Sequence, residues 1–143
     1  MKILFIDPAS EPEDRGFALY DGPRLVEAGT TFHRGCADWA VVEDQWVNHK
    51  ASRQSLMTLS QYAGFLLGRS GASRFFAYPV KDWKNRILPG FANAPKRMFS
   101  ASLEGLYPEH ASLGHNVLDA LAMGEAWVKA SYTERMIQKW ELR

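Results

Sequence analysis

Two short apolar runs in this chain each end in an acidic residue, and this arrangement limits the folds that the chain can adopt. Residues 3–6 are followed by Asp7, and residues 40–42 are followed by Glu43. Both runs have the composition of buried β-strands. A third acid, Asp119, lies within an apolar helical segment. A buried acid needs a partner, and three carboxylates held close together repel one another unless a divalent cation binds them. The pattern therefore indicates a metal site.

The size and composition of the chain predict one domain over residues 1–143. With 143 residues, of which 46% are hydrophobic, the chain has enough apolar side chains for one compact core. The net charge of +1 does not by itself indicate a nucleic-acid-binding protein, although local basic clusters can still contact phosphate. The single cysteine, Cys36, excludes an internal disulfide and fits a reducing cytosol. The apolar start is too short for a signal peptide or a membrane span, so we expect a cytoplasmic protein without membrane contacts.

Apolar periodicity predicts an α/β order of elements. The turn residues Asp21-Gly22-Pro23 predict a β-hairpin formed by the strands on either side of them, which are the second and third strands of the chain. The predicted strands cover residues 2–7, 17–20, 25–28, 39–43 and 75–78, and the predicted helices cover 52–67, about 95–106 and 115–130. We expect a long irregular connection from Pro79 to Pro95, because the segment is rich in Pro, Gly and Asn. If the fourth strand lies parallel to the first, Asp7 and Glu43 lie at neighbouring carboxyl ends, about 5 Å apart.

The order of these residues resembles the RuvC-type Holliday junction resolvases of the ribonuclease H-like superfamily, particularly small phage forms. The resemblance spans nearly the whole chain and is carried by Ile6-Asp7-Pro8-Ala9-Ser10, by Val42-Glu43-Asp44-Gln45, by Tyr78-Pro79 with Trp83-Lys84, and by Asn116-Val117-Leu118-Asp119-Ala120-Leu121-Ala122. It implies an α/β ribonuclease H-like fold, with a five-stranded mixed sheet flanked by helices. It also implies a metal-dependent endonuclease that hydrolyses four-way DNA junctions in recombination and repair.

The resemblance implies a set of site residues, with some departures from the family pattern. Asp7, Glu43 and Asp119 would hold two Mg²⁺ ions, with Mn²⁺ as a substitute. The fourth ligand normally lies three residues before the last acid, where this chain has the neutral Asn116. His115 could instead supply a ligand or stabilise the leaving oxygen. Asp44 competes with Glu43, but Asp44 would project to the opposite face of a continued strand. Two further departures are Ala9, where the family often has glycine, and a connection between strands three and four that is too short for the usual helix.

Two groups of cations are candidates for DNA contact. A first group consists of Lys81, Lys84, Arg86, Lys96 and Arg97. Trp83 and Phe91 are interleaved with these cations, and Trp83 is a further candidate for DNA contact. A second strip follows Glu43 and consists of His49, Lys50 and Arg53, with Trp46 nearby as a side chain that could stack on an unpaired base. The alternative for both groups is ordinary solvated charge with tryptophans in the core.

Several alternatives stay open from the sequence alone. Each acid taken singly could be structural. Because a four-way junction presents two equivalent cleavage points, we expect a homodimer, and Met136, Ile137 and Trp140 could form its seam or cover the core of their own chain. One competing function is a ribonuclease H-like nuclease that processes ribosomal RNA precursors. Another is a module that binds branched DNA without cutting it.

Overall fold

A five-stranded mixed sheet forms the centre of the molecule. The computed structural model describes residues 1–9, 12–44 and 53–130, with only the backbone described at 12, 44 and 53–59. The strands are β1 (Lys2–Asp7), β2 (Gly16–Asp21), β3 (Arg24–Gly29), β4 (Trp39–Asp44) and β5 (Arg74–Pro79). They lie in the order β3-β2-β1-β4-β5; β1, β2 and β3 pair antiparallel, whereas β4 is parallel to both β1 and β5. This arrangement confirms the predicted mixed sheet, and the parallel pairing of the first and fourth strands meets the condition under which Asp7 and Glu43 were expected to lie together.

In the described part of the chain, four α-helices cover the two faces of the sheet. They are α1 (Arg53–Ser70), α2 (Val80–Ile87), α3 (Lys96–Leu106) and α4 (His115–Lys129), and short 3₁₀ segments lie at Pro12–Asp14 and Pro108–Leu113. As the length of the connection predicted, residues 30–38 form no helix. Within the described part of the chain, no helix combines the length and apolar character that crossing a membrane requires.

The helix α2 corrects the prediction of an irregular connection from Pro79 to Pro95. Val80, Trp83 and Ile87 follow one another at helical spacing, and Trp83 is the residue that the helix buries. Pro79 lies immediately before the helix, where the fixed φ of proline and its missing N–H are tolerated. The Pro and Gly residues that suggested a loop therefore bound a short helix, and only the part after Ile87 is irregular.

Alternation along the strands divides the core into two layers. Ile3 and Phe5 in β1 pack with the buried face of α4, whereas Leu4 and Ile6 pack with residues of α1 such as Leu66. Since successive strand residues point to opposite faces, Asp7 belongs to the face that α4 covers. Fully burying a side chain of this kind contributes about 1.5–3 kcal/mol. The apolar residues of β1 thus hold α4 against the face of the sheet on which Asp7 ends the strand.

Candidate metal centre

Two acids meet at the carboxyl ends of the central parallel strands. Ile6 of β1 pairs with Val42 of β4, so Asp7 and Glu43 follow at neighbouring positions. Glu43 shares its face of the sheet with Val41, which packs in the same layer as Phe5. Asp7 is only 6% exposed, and its carboxyl group forms a side-chain hydrogen bond with that of Glu43. A hydrogen bond between two carboxyl groups requires that one of them carries a proton.

The third acid, Asp119, lies near the carboxyl ends of β1 and β4 because the start of α4 lies directly against β2. Gly16 pairs with Asp7 across the β1–β2 ladder, and a Cβ atom at Gly16 would overlap the main-chain carbonyl of Asn116. The absence of a side chain at Gly16 therefore permits the close approach of strand and helix. Asp119 follows Asn116 by almost one helical turn, is partly buried, and interacts electrostatically with both Asp7 and Glu43.

Burial and mutual repulsion raise the pKa of all three acids. Burial is the largest cause for Asp7, whose pKa lies well above its usual value, and the charges of Glu43 and Asp119 raise it further. Burial, followed by the charge of Glu43, raises the pKa of Asp119 to about 7. Burial also raises the pKa of Glu43, although its hydrogen bond with Asp7 opposes this effect. Such a cluster favours the binding of a proton or of a cation.

Two lysines flank the acidic cluster. Lys84 on α2 lowers the pKa of Glu43 and Asp119, and Lys96, the first residue of α3, lowers the pKa of all three acids. The Nζ atom of Lys84 lies 4.5 Å from the ring centroid of Phe99 and 5.6 Å from that of Trp83. Lys84 is therefore partly buried against aromatic rings beside the acids, whereas Lys96 is exposed. The sequence predicted both as phosphate contacts but did not predict their proximity to the carboxylates.

The remaining predicted DNA contacts have different environments. Trp83 is 0% exposed, and this burial argues against its predicted contact with DNA. Lys81 and Arg97 are exposed, Arg86 is partly buried, and Phe91 is 39% exposed on the connection before α3. Arg53 begins α1, but its side chain is outside the described part of the structure, and Trp46, His49, Lys50 and the 136–140 segment lie outside the described residues.

Asn116 and His115 have distinct surroundings at the start of α4. The Nδ2 atom of Asn116 donates a hydrogen bond to the main-chain carbonyl of Asp14 in the loop between β1 and β2. His115 is exposed and lies close enough to Asp119 for its charge to lower the pKa of that acid. The amide of Asn116 therefore already fastens the loop to α4, a contact that no local sequence pattern indicated.

The acidic cluster has the chemistry of a site for a hard divalent cation. Three carboxylates with raised pKa values supply oxygen ligands and negative charge, which Mg²⁺ and similar ions prefer. Among the residues that the structure describes, no three His, Cys, Asp or Glu side chains are already arranged around one point. The hydrogen bond between Asp7 and Glu43 must therefore open before both carboxyl groups can ligate an ion. The donor set fits a divalent cation once that proton is displaced.

The sheet order and the helices on its two faces define a ribonuclease H-like fold, as the sequence predicted. Two solved structures of Thermus thermophilus RuvC match the chain over almost its whole length. The first is 17% identical, with a TM-score of 0.57, and the match covers 99% of this chain and 100% of that one. The second, RuvC in complex with a Holliday junction substrate, is 18% identical, with a TM-score of 0.65 and 99% of each chain covered. No family model matches the sequence, and no curated protein matches it.

Proposed function

We propose that this protein is a metal-dependent endonuclease that hydrolyses phosphodiester bonds of four-way DNA junctions. The observation that carries the proposal is the convergence of Asp7, Glu43 and Asp119 at one edge of a RuvC-like sheet. T. thermophilus RuvC, which shares the fold, has been solved with a Holliday junction substrate. A cluster of acids whose charges repel one another fits a nuclease site better than a structural role, because without a cation it lowers the stability of the fold.

Asp7, Glu43 and Asp119 are our candidates for the ligands of two Mg²⁺ ions, with Mn²⁺ as a substitute. When bound, such ions activate a water molecule and stabilise the charge on the leaving oxygen. Asp7 interacts with both other acids and is therefore the candidate for a shared ligand. His115 is the alternative to Asn116 near the second ion, because the Asn116 amide already donates to the Asp14 carbonyl.

The proposed DNA surface consists of the cations around α2 and the start of α3. Lys96 and Lys84 would hold the reacting phosphate close to the acids, because their charges already act on the carboxylates. Lys81 and Arg97 are exposed and would contact neighbouring phosphates. A homodimer on the two-fold symmetric junction is part of the proposal, as is action in the cytoplasm of a bacterium or of a phage-infected cell.

The proposal is tested by separating DNA binding from DNA cutting. Asp7→Asn removes metal-binding charge without removing a phosphate contact, so we expect junction binding to persist while Mg²⁺-dependent cutting is lost. Asp21→Asn is a matched control, because Asp21 is a partly exposed residue at the end of β2 that forms an ion pair with the amino terminus. Cutting by Asp7→Asn at the rate of the wild type would remove this acid from the mechanism, and loss of cutting in the control would show that the substitution acts through the fold.

A further inference from the structure

The indole N–H of Trp83 is a buried donor without a partner of good hydrogen-bond geometry. Trp83 lies on α2 and has 0% of its surface exposed, and no acceptor lies at hydrogen-bond distance and angle from its Nε1 atom. Buried donors are nearly always paired, because an unpaired one loses its hydrogen bonds to water without compensation. The unpaired N–H of Trp83 therefore raises the question of which acceptor lies nearest to it.

The carboxyl group that the indole N–H faces is that of Glu43. The Trp83 side chain lowers the pKa of Glu43, because an N–H donor stabilises the charged carboxylate. The contact does not reach full hydrogen-bond geometry. Glu43 is instead hydrogen-bonded to Asp7. Both contacts are made to the same carboxyl group, and the one with Asp7 has the larger effect on the pKa of Glu43.

From this geometry we infer that Trp83 is a positioning residue, whose indole N–H donates to one oxygen of Glu43 when the hydrogen bond between Asp7 and Glu43 opens for a metal ion. One oxygen of Glu43 is then held by the indole while the other is free to ligate. Carboxylate ligands in metal sites are commonly fixed by such outer hydrogen bonds, and loss of one typically weakens metal binding. The inference rests on the proposed function, since it concerns the same metal site.

The ring of Trp83 has a second contact that fits this role. The ring packs edge-on against Phe99 of α3, with centroids 5.7 Å apart, and Lys84 lies over both rings. Because Phe99 is itself 2% exposed, the indole has little freedom to turn. The indole edge is thus fixed toward Glu43, while its face and that of Phe99 hold Lys84 beside the acids.

Trp83→Phe tests this inference, because it removes the N–H and keeps an aromatic ring. We expect the Mg²⁺ concentration at half-saturation, measured by calorimetry without DNA, to rise about tenfold. Trp127→Phe is the matched control, because Trp127 is also buried with an unpartnered Nε1 but packs against Phe5 and Phe76 in the core. We expect the control to bind Mg²⁺ as the wild type does. An unchanged midpoint in Trp83→Phe, or an equal rise in both variants, would overturn the inference.

A measurement on the unsubstituted protein avoids any effect of the substitution on folding. In ¹H–¹⁵N spectra the indole resonance of Trp83, assigned by its loss in Trp83→Phe, should move downfield as Mg²⁺ is added, and that of Trp127 should stay in place. A stationary Trp83 resonance, with Mg²⁺ binding that Asp7→Asn abolishes, would overturn the inference and leave the proposed function intact. Absence of any Mg²⁺ binding by the wild type would overturn both.

Discussion

Replacing Asp119 with asparagine should make the metal-free protein more stable while it removes the capacity to cut DNA. The pKa of Asp119 is raised from its ordinary value of 3.8 to about 7, chiefly by burial and then by the charge of Glu43. Above that pH the folded protein carries a charge that the unfolded chain accommodates more easily. Asparagine has a similar shape without the charge, so the substitution removes this cost.

The size of the effect follows from the displacement of the pKa. A pKa difference of about three units corresponds to about 4 kcal/mol of folding free energy, at about 1.4 kcal/mol per unit. This value is an upper limit. Asp119 is partly buried and belongs to a cluster of three acids whose charges act on one another. We therefore expect roughly 2–4 kcal/mol, or on the order of 7–13 °C in Tm for a chain of this length. The cost is absent below about pH 4, grows as the pH rises to about 7, and is constant above that value.

Thermal unfolding in chelator from pH 4.5 to 8.5 measures this effect directly. The wild type should lose stability as the pH rises through this range, and Asp119→Asn should lose less, so that the two curves separate most above pH 7. Saturating Mg²⁺ should stabilise the wild type more than the variant, because the variant has lost a ligand. Equal stability of the two proteins in chelator at pH 8 would refute the argument that Asp119 is held at an electrostatic cost.

Four further substitutions test other parts of the site. Lys84→Ala should slow cutting more than it weakens junction binding, because the charge of Lys84 acts on the acids. Arg97→Ala should instead weaken junction binding and reduce the salt dependence of binding (the slope of log K against log salt concentration) by about one. Binding titrations at several salt concentrations distinguish the two variants, and equal changes in this slope would contradict the assignment. Asn116→Asp should lower the free energy of unfolding by about 1–2 kcal/mol, because it removes the N–H donor to the main-chain carbonyl of Asp14. Gln61→Glu, at an exposed position, is the control for the added charge. Tighter Mg²⁺ binding in Asn116→Asp would show instead that this position is a ligand. Gly16→Ala should cost about 1–3 kcal/mol and slow cutting, because its methyl group meets the backbone of α4, and wild-type behaviour in unfolding and cleavage assays would contradict that close approach.

The sequence predicted the strands, and the face on which each strand presents its acid, because both depend on local patterns. Runs of β-forming residues set β1 and β4, and the strict alternation of side chains then determines which face Asp7 and Glu43 share. The parallel pairing of β1 with β4 was a condition of that argument, because two other strands separate them in the chain and the pairing is not a local property. The position of Asp119 followed from helical spacing in an apolar segment of α4.

The parts that the sequence did not predict depend on contacts between distant segments. Trp83 stands among cations, so the sequence made it a candidate DNA contact with a core position as the alternative; α2 places it inside, against Phe99 of α3. The helix itself was overlooked because prolines and glycine bound a short segment of eight residues. Asn116 donates to a loop 102 residues earlier in the chain, which no local pattern reports. Tertiary packing, rather than propensity, decided each of these outcomes.

Cleavage of a labelled four-way DNA junction, beside matched duplex, flap and RNA substrates, tests the central claim most directly. The assay is run with Mg²⁺, with Mn²⁺ and with chelator. We predict paired nicks confined to the junction that require a divalent ion and disappear in Asp7→Asn. Preferred cutting of RNA would contradict this account in favour of a nuclease for RNA precursors, and tight junction binding without cutting under any condition would contradict it in favour of a binding module.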